Sequence, residues 1–530
     1  MKKYGQRVLS FLKEDWLACV VIALGVLVQA FLASRSLPFL LGHLLPDAAF
    51  YYFQIARHVV EGTGSTFDGL NQTNGYHPLW LIILLPIFSL FSIGGTADVS
   101  PLYAALGVSV CVNALTAICI LRIISRFTSS GRVRAFGLLL WSLNPFVLFE
   151  TLNGLETSLA LFLLSLFILV ALRASERGTG YLLTGFMGGL MVLARLDMVF
   201  YLGALFAWVL VHHGFREGLR RSIPAGIVAI CVVAPWFIWN YWMFHMIGTS
   251  ASNANPMVNH ALIIQDHGTS ILQSIKAVFY SLVFYGKDVL TRTGAAWLLF
   301  ILLGAAIALF VVGKVRVLAS RKDIPLVAFL FLGFLVLFFA NAGVRFTGRS
   351  WYFISFDLFL VFGATWMLGK LALPLYRERV LLSFASVLVL STFFLGWYGE
   401  LRGQNLNQIG AYEMAQWMNE QVPAGTPVGV FNAGVQGYFS HVRVINLDGL
   451  VNNSAYEAMR ERRLWTYIED EHIEYISDFD LYLSYRYKSF LDIDDPFTHL
   501  QEIRRVSVAG GAHGADSMAL YKVLGANERP

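Results

Sequence analysis

Asp47, Arg57, two histidines and three tyrosines sit within LLPDAAFYYFQIARHVVEGTGSTFDGLNQTNGYHPLW, residues 44–80, directly after a run of nearly pure hydrocarbon. A loop that only joined two helices would not need them. At helical spacing Asp47, Tyr51, Gln54 and His58 form one polar stripe, while Phe50 and Phe53 point elsewhere. Asp47 immediately before a helix is a preferred N-cap. It also suits a carboxylate held rigidly at a membrane surface as a general base. A cap would supply that rigidity, so both readings stand. Arg57 either snorkels to lipid headgroups or binds a phosphate. His77 lies in a Gly-Tyr-His-Pro turn whose backbone is fixed, which favours a functional role.

Three later stretches carry the same kind of chemistry. In LNGLETSLALFLL, Glu156 stands at the start of an apolar helix, where a carboxylate favours the helix dipole or faces a ligand. In LMVLARLDMVFYL, Arg195 and Asp197 interrupt a long apolar run, and charges at membrane depth normally face a cavity or one another. Residues two apart do not face each other on a helix, so a broken helix beside a cavity is expected. In NAGVRFTGRSWYF, Arg345 and Arg349 precede Trp351 and Tyr352. Arginines beside interfacial aromatics suit an anionic ligand, most economically a lipid phosphate. No H-E-x-x-H, CxxC or Walker loop accompanies them, so a metal site has no motif here.

The elements that must position these residues follow from composition. Of 530 residues, 57% are hydrophobic and 14% charged, a deficit of charge that places the chain in a bilayer. Cys19, Cys111, Cys119 and Cys231 all fall in apolar segments, which implies no disulfide framework. A net charge of +5 is modest and suggests no nucleic-acid partner. Basic clusters at 2–13, 122–134, 173–177, 216–221, 314–322 and 377–379 mark cytoplasmic loops. Between them lie apolar runs at 16–34, 102–121, 135–150, 157–173, 180–194, 197–212, 223–243, 295–313, 325–341, 351–370 and 380–397. The apolar stretches from 78 to about 92 and from about 272 to 285 break the alternation of charge, and are read as re-entrant or interfacial helices on the outer face. That leaves about eleven spans, an uncleaved N-terminal one among them, with the N-terminus cytoplasmic and everything after residue 398 outside.

From about residue 400 the composition becomes that of a soluble domain. AYEMAQWMNEQV predicts an amphipathic helix, and PVGVFNAG, VRVINLDG and IEYISDFDLYL predict three strands. Residues 401–530 are therefore expected to form a small extracytoplasmic α/β domain after a membrane domain of 1–400. GVFNAGVQG lacks the G-x-G-x-x-G spacing, so a dinucleotide site is not implied.

Asp47 before a Tyr-rich helix ending in IAR, then TNGYHPLW, GLETSL, ARLD and RSWYF in this order, resembles the GT-C superfamily of integral membrane glycosyltransferases. The likeness covers most of residues 10–400, and FNAGVQGYFSHVRVINLDGLVN resembles the soluble tail of one bacterial branch. The resemblance implies a multi-spanning α-helical GT-C fold in the cytoplasmic membrane. It also implies transfer of a sugar, with inversion, from a polyprenyl-phosphate carrier to a cell-envelope acceptor on the outer face. By resemblance Asp47 is the base, and Glu156 orients sugar or acceptor. Arg57, His77, Arg195 and Arg349 hold the donor phosphate, with Tyr51, Asp197 and Tyr352 beside them. Asn446 and Asp448 of NLDG are assigned to the acceptor side. One departure matters, because relatives often carry a second acid directly after the first, whereas this chain has Ala48. Either one carboxylate suffices, or the second acid is the base and this chain is a disabled form. Its absence also removes support for a divalent metal held between two acids. The competing class is a transporter or flippase that binds a lipid-linked sugar without chemistry, for which repeats and charges along a path would be expected.

Overall fold

A computed structural model of the chain describes residues 15–91, 99–268, 270–292, 323–371, 374–508 and 517–525. The span expected at 295–313 and the basic clusters at 2–13 and 314–322 lie outside the described residues. Among those described, eight helices are long and apolar enough to cross a membrane. They are Trp16–Ala33, Ser100–Ile124, Thr157–Arg177, Leu196–His213, Phe215–Phe244, Leu326–Val344, Ser350–Leu371 and Leu375–Glu400. Thr157–Arg177 is the central one, with 78% of its apolar window buried. Phe215–Phe244 is peripheral at 17%, and turns Ile223, Ile227, Ile230 and Ile238 outward. Such a surface is stable only against lipid, with every backbone group satisfied inside the helix.

Two expected spans are shorter than a full crossing. The stretch 135–150 breaks into Gly131–Ser142 and Pro145–Glu150. Asn144 caps the second piece by accepting the Phe146 N–H at 3.1 Å, and Pro145 cannot continue the preceding ladder. Tyr181–Ala194 has 14 residues and ends where Arg195 turns extended, at φ −159° and ψ 117°. Pro78–Phe91 is likewise a 14-residue apolar helix, about 21 Å long and short of the hydrocarbon core. Ile271–Arg292 is a helix of 22 residues, longer than the apolar stretch that announced it.

The two ends of the bundle differ in kind. At one end Arg126 pairs with Glu176, Arg132 with Glu378 and Arg134 with Asp15. The central helix runs from there, about 30 Å, to Glu156 at its opposite end. At that end the chain after Trp16–Ala33 forms the loop helix Asp47–Val60. The C-terminal residues pack onto this end as a five-stranded sheet in the order β2-β1-β3-β5-β4. Its strands are β1 (Pro427–Val430), β2 (Arg443–Asn446), β3 (Tyr475–Phe479), β4 (Leu500–Ser507) and β5 (Ser517–Val523). The first three are parallel and the last two antiparallel to their neighbours. The short strands β1 (PVGV) and β2 (RVIN), the second at the sheet edge, are each buried over three of four residues, as a covered parallel sheet requires. β3 is shorter than the predicted strand, because Tyr482–Arg486 winds into a π-helical turn.

A seam of short contacts joins the sheet to the loop. Both oxygens of Asp47 accept backbone N–H groups at the start of the helix Gly434–Phe439, from Gly434 and Val435 at 2.9 Å each. A Cβ on Gly434 would stand 2.1 Å from the Asp47 carbonyl oxygen, and one on Gly75 would stand 1.9 Å from that of Leu450. Only glycine permits these approaches. Asn74, fully buried, accepts from Ser250 N–H and Asn453 Nδ2 and donates to Asn240 and Gly248. Replacing Gly434 with alanine forces the seam apart and is expected to cost about 1–3 kcal/mol of overpacking. The checks are a lowered thermal midpoint and faster protease release of the C-terminal sheet, with helix content otherwise preserved.

Candidate active site

Between the loop helix, the end of the central span and the sheet lies a polar cavity of about 460 Å³. The loop contributes Asp47, Ala48, Tyr51, Tyr52, Tyr76 and His77 to its wall, the central helix Glu156, and the later spans Arg349, Trp351 and Tyr352. The junction after the last span adds Gln404, Asn405, Asn407 and Gln408, and the sheet side adds Asn432, Asp448, Tyr482, Arg486 and Tyr487. All three π-helical turns among the described residues adjoin this wall: Leu40–Leu44 before Asp47, Phe339–Val344 before Arg349, and Tyr482–Arg486 itself. Such turns recur at functional sites because they re-aim side chains.

The structure brings together Asp47, Tyr51, His77, Glu156, Arg349, Tyr352 and Asp448 of the residues singled out from sequence. Asp47 caps a helix, but a remote one, since Pro46 is the N-cap of its own helix. Tyr52 organises the loop side. Its hydroxyl donates to Glu156 Oε2 at 2.9 Å and accepts the His77 N–H at 3.0 Å. The Leu196 N–H donates to His77 Nδ1 at 3.4 Å, which assigns the ring proton to Nε2, 3.6 Å from Glu156 Oε1. Burial pushes His77 below the usual histidine range, with Glu156 acting against it. Glu156 occupies the N-cap position of the central helix without capping it, and its side chain is held toward the cavity by these partners.

Four other sequence-level candidates stand outside the wall. Arg57 donates to the Tyr438 carbonyl at 3.1 Å and lies 3.8 Å over that ring, bracing the sheet domain rather than meeting lipid. Arg195 and Asp197 pair through Nε–Oδ1 at 2.9 Å and Nη2–Oδ2 at 3.1 Å. The helix break expected there is present, and it is what lets residues two apart face each other. Arg195 also donates to the Trp351 carbonyl at 2.7 Å and lies 4.5 Å over Tyr352, so it positions a cavity wall from behind. Asn446 is spent on the Phe431 carbonyl and the Val451 N–H.

Arg349 and Arg486 line the cavity and differ from the arginines that form buried ion pairs. Arg134, Arg195 and Arg292 each have a carboxylate partner. Among the described residues neither Arg349 nor Arg486 has one, and their nearest aromatic neighbours are Trp351 and Tyr487, with centroids at 6.0 and 5.7 Å. Two cations without carboxylates on a shared polar wall suit a bound anion. Arg486 escaped the sequence reading because the predicted strand IEYISDFDLYL ends at Leu483 and no role was read beyond it. The aromatic and basic run was its one visible signal. Among the described residues no three His, Cys, Asp or Glu side chains gather as metal ligands would.

Burial dominates the acids of the sheet side. It pushes Asp448 up to about 7, against the Leu450 N–H and Asn446, with Asp47 adding to the rise. It pushes Asp478 up to about 7 as well, against the N–H groups of Asn432, Phe479 and Phe431. Asp478 accepts those of Phe431 and Asn432 at 2.7 and 2.9 Å and shapes the turn below the cavity. Burial also raises Asp47, opposed by Val435 and Gly434. Tyr51 is driven well above its usual range by burial and by Asp448, and so remains a donor.

Comparison with known proteins agrees with this architecture. The family described as dolichyl-phosphate-mannose-protein mannosyltransferase matches residues 86–239, and a domain of unknown function, DUF8728, matches 399–521. No curated protein matches the sequence. The fold is similar to that of ArnT from Cupriavidus metallidurans bound to undecaprenyl phosphate, with TM-score 0.58 and 14% identity over 97% of this chain and 99% of that one. It is similar to the Archaeoglobus fulgidus oligosaccharyltransferase in complex with Zn and sulfate, with TM-score 0.58 and 14% identity over 94% and 73% of the two chains. The archaeal oligosaccharyltransferase AglB from Archaeoglobus fulgidus, in complex with an inhibitory peptide and a dolichol-phosphate, gives TM-score 0.54 and 14% identity over 98% and 75%.

The partners of each arginine predict different consequences of removing it. Arg195→Ala strands Asp197 and is expected to cost about 3–5 kcal/mol of stability. Arg349→Ala and Arg486→Ala break no ion pair, so their thermal midpoints should stay within a few degrees of the parent, measured side by side in one detergent.

Proposed function

With the GT-C glycosyltransferase fold of this chain as premise, we propose that it moves a sugar from a polyprenyl-phosphate carrier to a hydroxyl of a cell-envelope acceptor. The observation that carries this reading is the cavity at the seam, which combines two arginines that form no ion pair among the described residues, three carboxylates and a tyrosine-rich wall. Arg349 and Arg486 hold the donor phosphate, and the isoprenoid leaves toward the spans. The flat faces of Trp351, Tyr352 and Tyr487 suit the apolar side of a sugar ring. Glu156, fixed by Tyr52 and His77, orients the sugar through its hydroxyls.

In the reaction a wall carboxylate takes the proton of the acceptor hydroxyl as its oxygen bonds to the anomeric carbon. The bond from that carbon to the phosphate oxygen breaks, and the electron pair leaves with the lipid phosphate. The arginines act most strongly there, because the phosphate gains a negative charge as it departs. A phosphate leaves without protonation, so no general acid is needed. A single displacement of this kind inverts the anomeric centre. The basic clusters favour an N-terminus in the cytoplasm and a cavity on the outer face of the cytoplasmic membrane.

The test is transfer of radiolabelled sugar from a panel of polyprenyl-phosphate sugars to envelope acceptors by the full chain in nanodiscs. Transfer is expected, with kcat/KM about 100-fold lower in the Arg349→Ala/Arg486→Ala double variant, the loss of two charge-assisted contacts. Tight binding of the lipid-linked sugar with no release from its carrier, together with its movement across vesicle bilayers, would make the chain a transporter instead.

A further inference from the structure

Three carboxylates line the cavity, and a general base needs an oxygen free to approach the acceptor hydroxyl. Asp47 is the carboxylate that sequence reasoning favours. Each of its oxygens already accepts a backbone N–H at 2.9 Å, from Gly434 and Val435. Protonating it weakens the contact that docks the sheet domain. Glu156 accepts the Tyr52 hydroxyl at 2.9 Å on Oε2 and faces His77 with Oε1. Asp448 differs. Its Oδ1 accepts the Leu450 N–H at 2.8 Å, which fixes the side chain, while Oδ2 meets the Tyr51 hydroxyl at the longer distance of 3.4 Å, with the Asn446 amide beside the carboxyl.

The geometry points to Asp448, rather than Asp47, as the general base, an inference that rests on the transferase reading. Asp448 Oδ2 takes the acceptor proton as the acceptor oxygen bonds to the anomeric carbon. The lipid phosphate departs with the electron pair of the broken bond, and the carboxyl later returns its proton to water. Asp47 is then a positioning residue: it presents no oxygen to substrate but holds the helix Gly434–Phe439 and, with it, the sheet edge that ends in Asn446 and Asp448. The charged and titratable groups around Asp448 are Asp47 and Tyr51 from the loop helix and Arg486 and Tyr487 from the π-helical turn, with the Asn446 amide beside them. Burial pushes the Asp448 carboxyl up to about 7, so the ionised form that accepts a proton is lost as pH falls through that range.

The test compares the full chain with Asp448→Asn, Asp448→Glu and Asp47→Asn in the transfer assay from pH 5 to 8.5, with polyprenyl-phosphate binding and thermal midpoint measured on each. Asp448→Asn is expected to lower kcat about 100- to 10,000-fold with lipid-phosphate binding kept, and Asp448→Glu to retain part of the rate. Parent activity should rise through an acid limb with a midpoint near 7. Asp47→Asn should lower the thermal midpoint while keeping that limb in its residual activity. If Asp448→Asn fails to fold, the parent and Asp47→Asn profiles still decide. A rate flat from pH 5 to 8.5 overturns the assignment, as does loss of the limb in a folded Asp47→Asn chain. Transfer that survives Asp448→Asn overturns it and leaves the transferase standing. No transfer by the parent overturns both.

Discussion

The contact on which the site depends is that of Asp47 with the two N–H groups of Gly434 and Val435. It joins an anion to the N-terminus of a helix, where unsatisfied donors and the helix dipole favour negative charge. It also sits against a glycine that admits no side chain, so neither partner can shift without breaking it. Everything on the cavity wall is referred to this point. The loop helix carries Tyr51 and Tyr52 one turn further on, and Tyr52 reaches Glu156 and the His77 backbone. On the other side, the helix Gly434–Phe439 connects β1 to β2, whose end delivers Asp448. A cavity assembled from segments nearly 400 residues apart in sequence is thus anchored by these two hydrogen bonds and a steric fit, with Arg57–Tyr438, Asn74–Asn453 and Gly75–Leu450 along the same seam.

The arginines divide according to whether the fold has already occupied their donors. Arg57 and Arg195 spend their donors on carbonyls, on an aromatic ring or on Asp197, and they hold walls in place. Arg349 and Arg486 face the cavity without carboxylates, and they come from opposite sides of the seam. An anion bound between them would link the membrane spans to the sheet domain. Neither half alone presents both cations.

Much of this was legible in the chain itself. The apolar runs mark most of the helices, and the short β-branched stretches PVGV and VRVIN mark the parallel strands. TNGYHPLW, GLETSL and RSWYF mark the stretches that meet at the cavity. What stayed hidden depends on distant partners. Nothing local in PDAAFYY indicates that Asp47 caps a helix beginning at Gly434, because a cap is ordinarily sought within three residues. The Arg195–Asp197 pair was discounted on helical geometry, yet the break at Arg195 that the same reading foresaw is what creates it. Arg486 was missed because it lies past the end of the predicted strand, in a π-helical turn that has no sequence period of its own. The Ala48 departure also changes weight, since Asp448 enters the same cavity from the sheet side.

The most direct measurement is a cryo-electron microscopy map of the full chain in nanodiscs with polyprenyl phosphate bound. The account predicts phosphate density between the Arg349 and Arg486 guanidinium groups, with the isoprenoid leaving along the spans and Asp47 still on Gly434 and Val435. Phosphate density away from both arginines, or a sheet domain undocked from Asp47 while the lipid is bound, would contradict it.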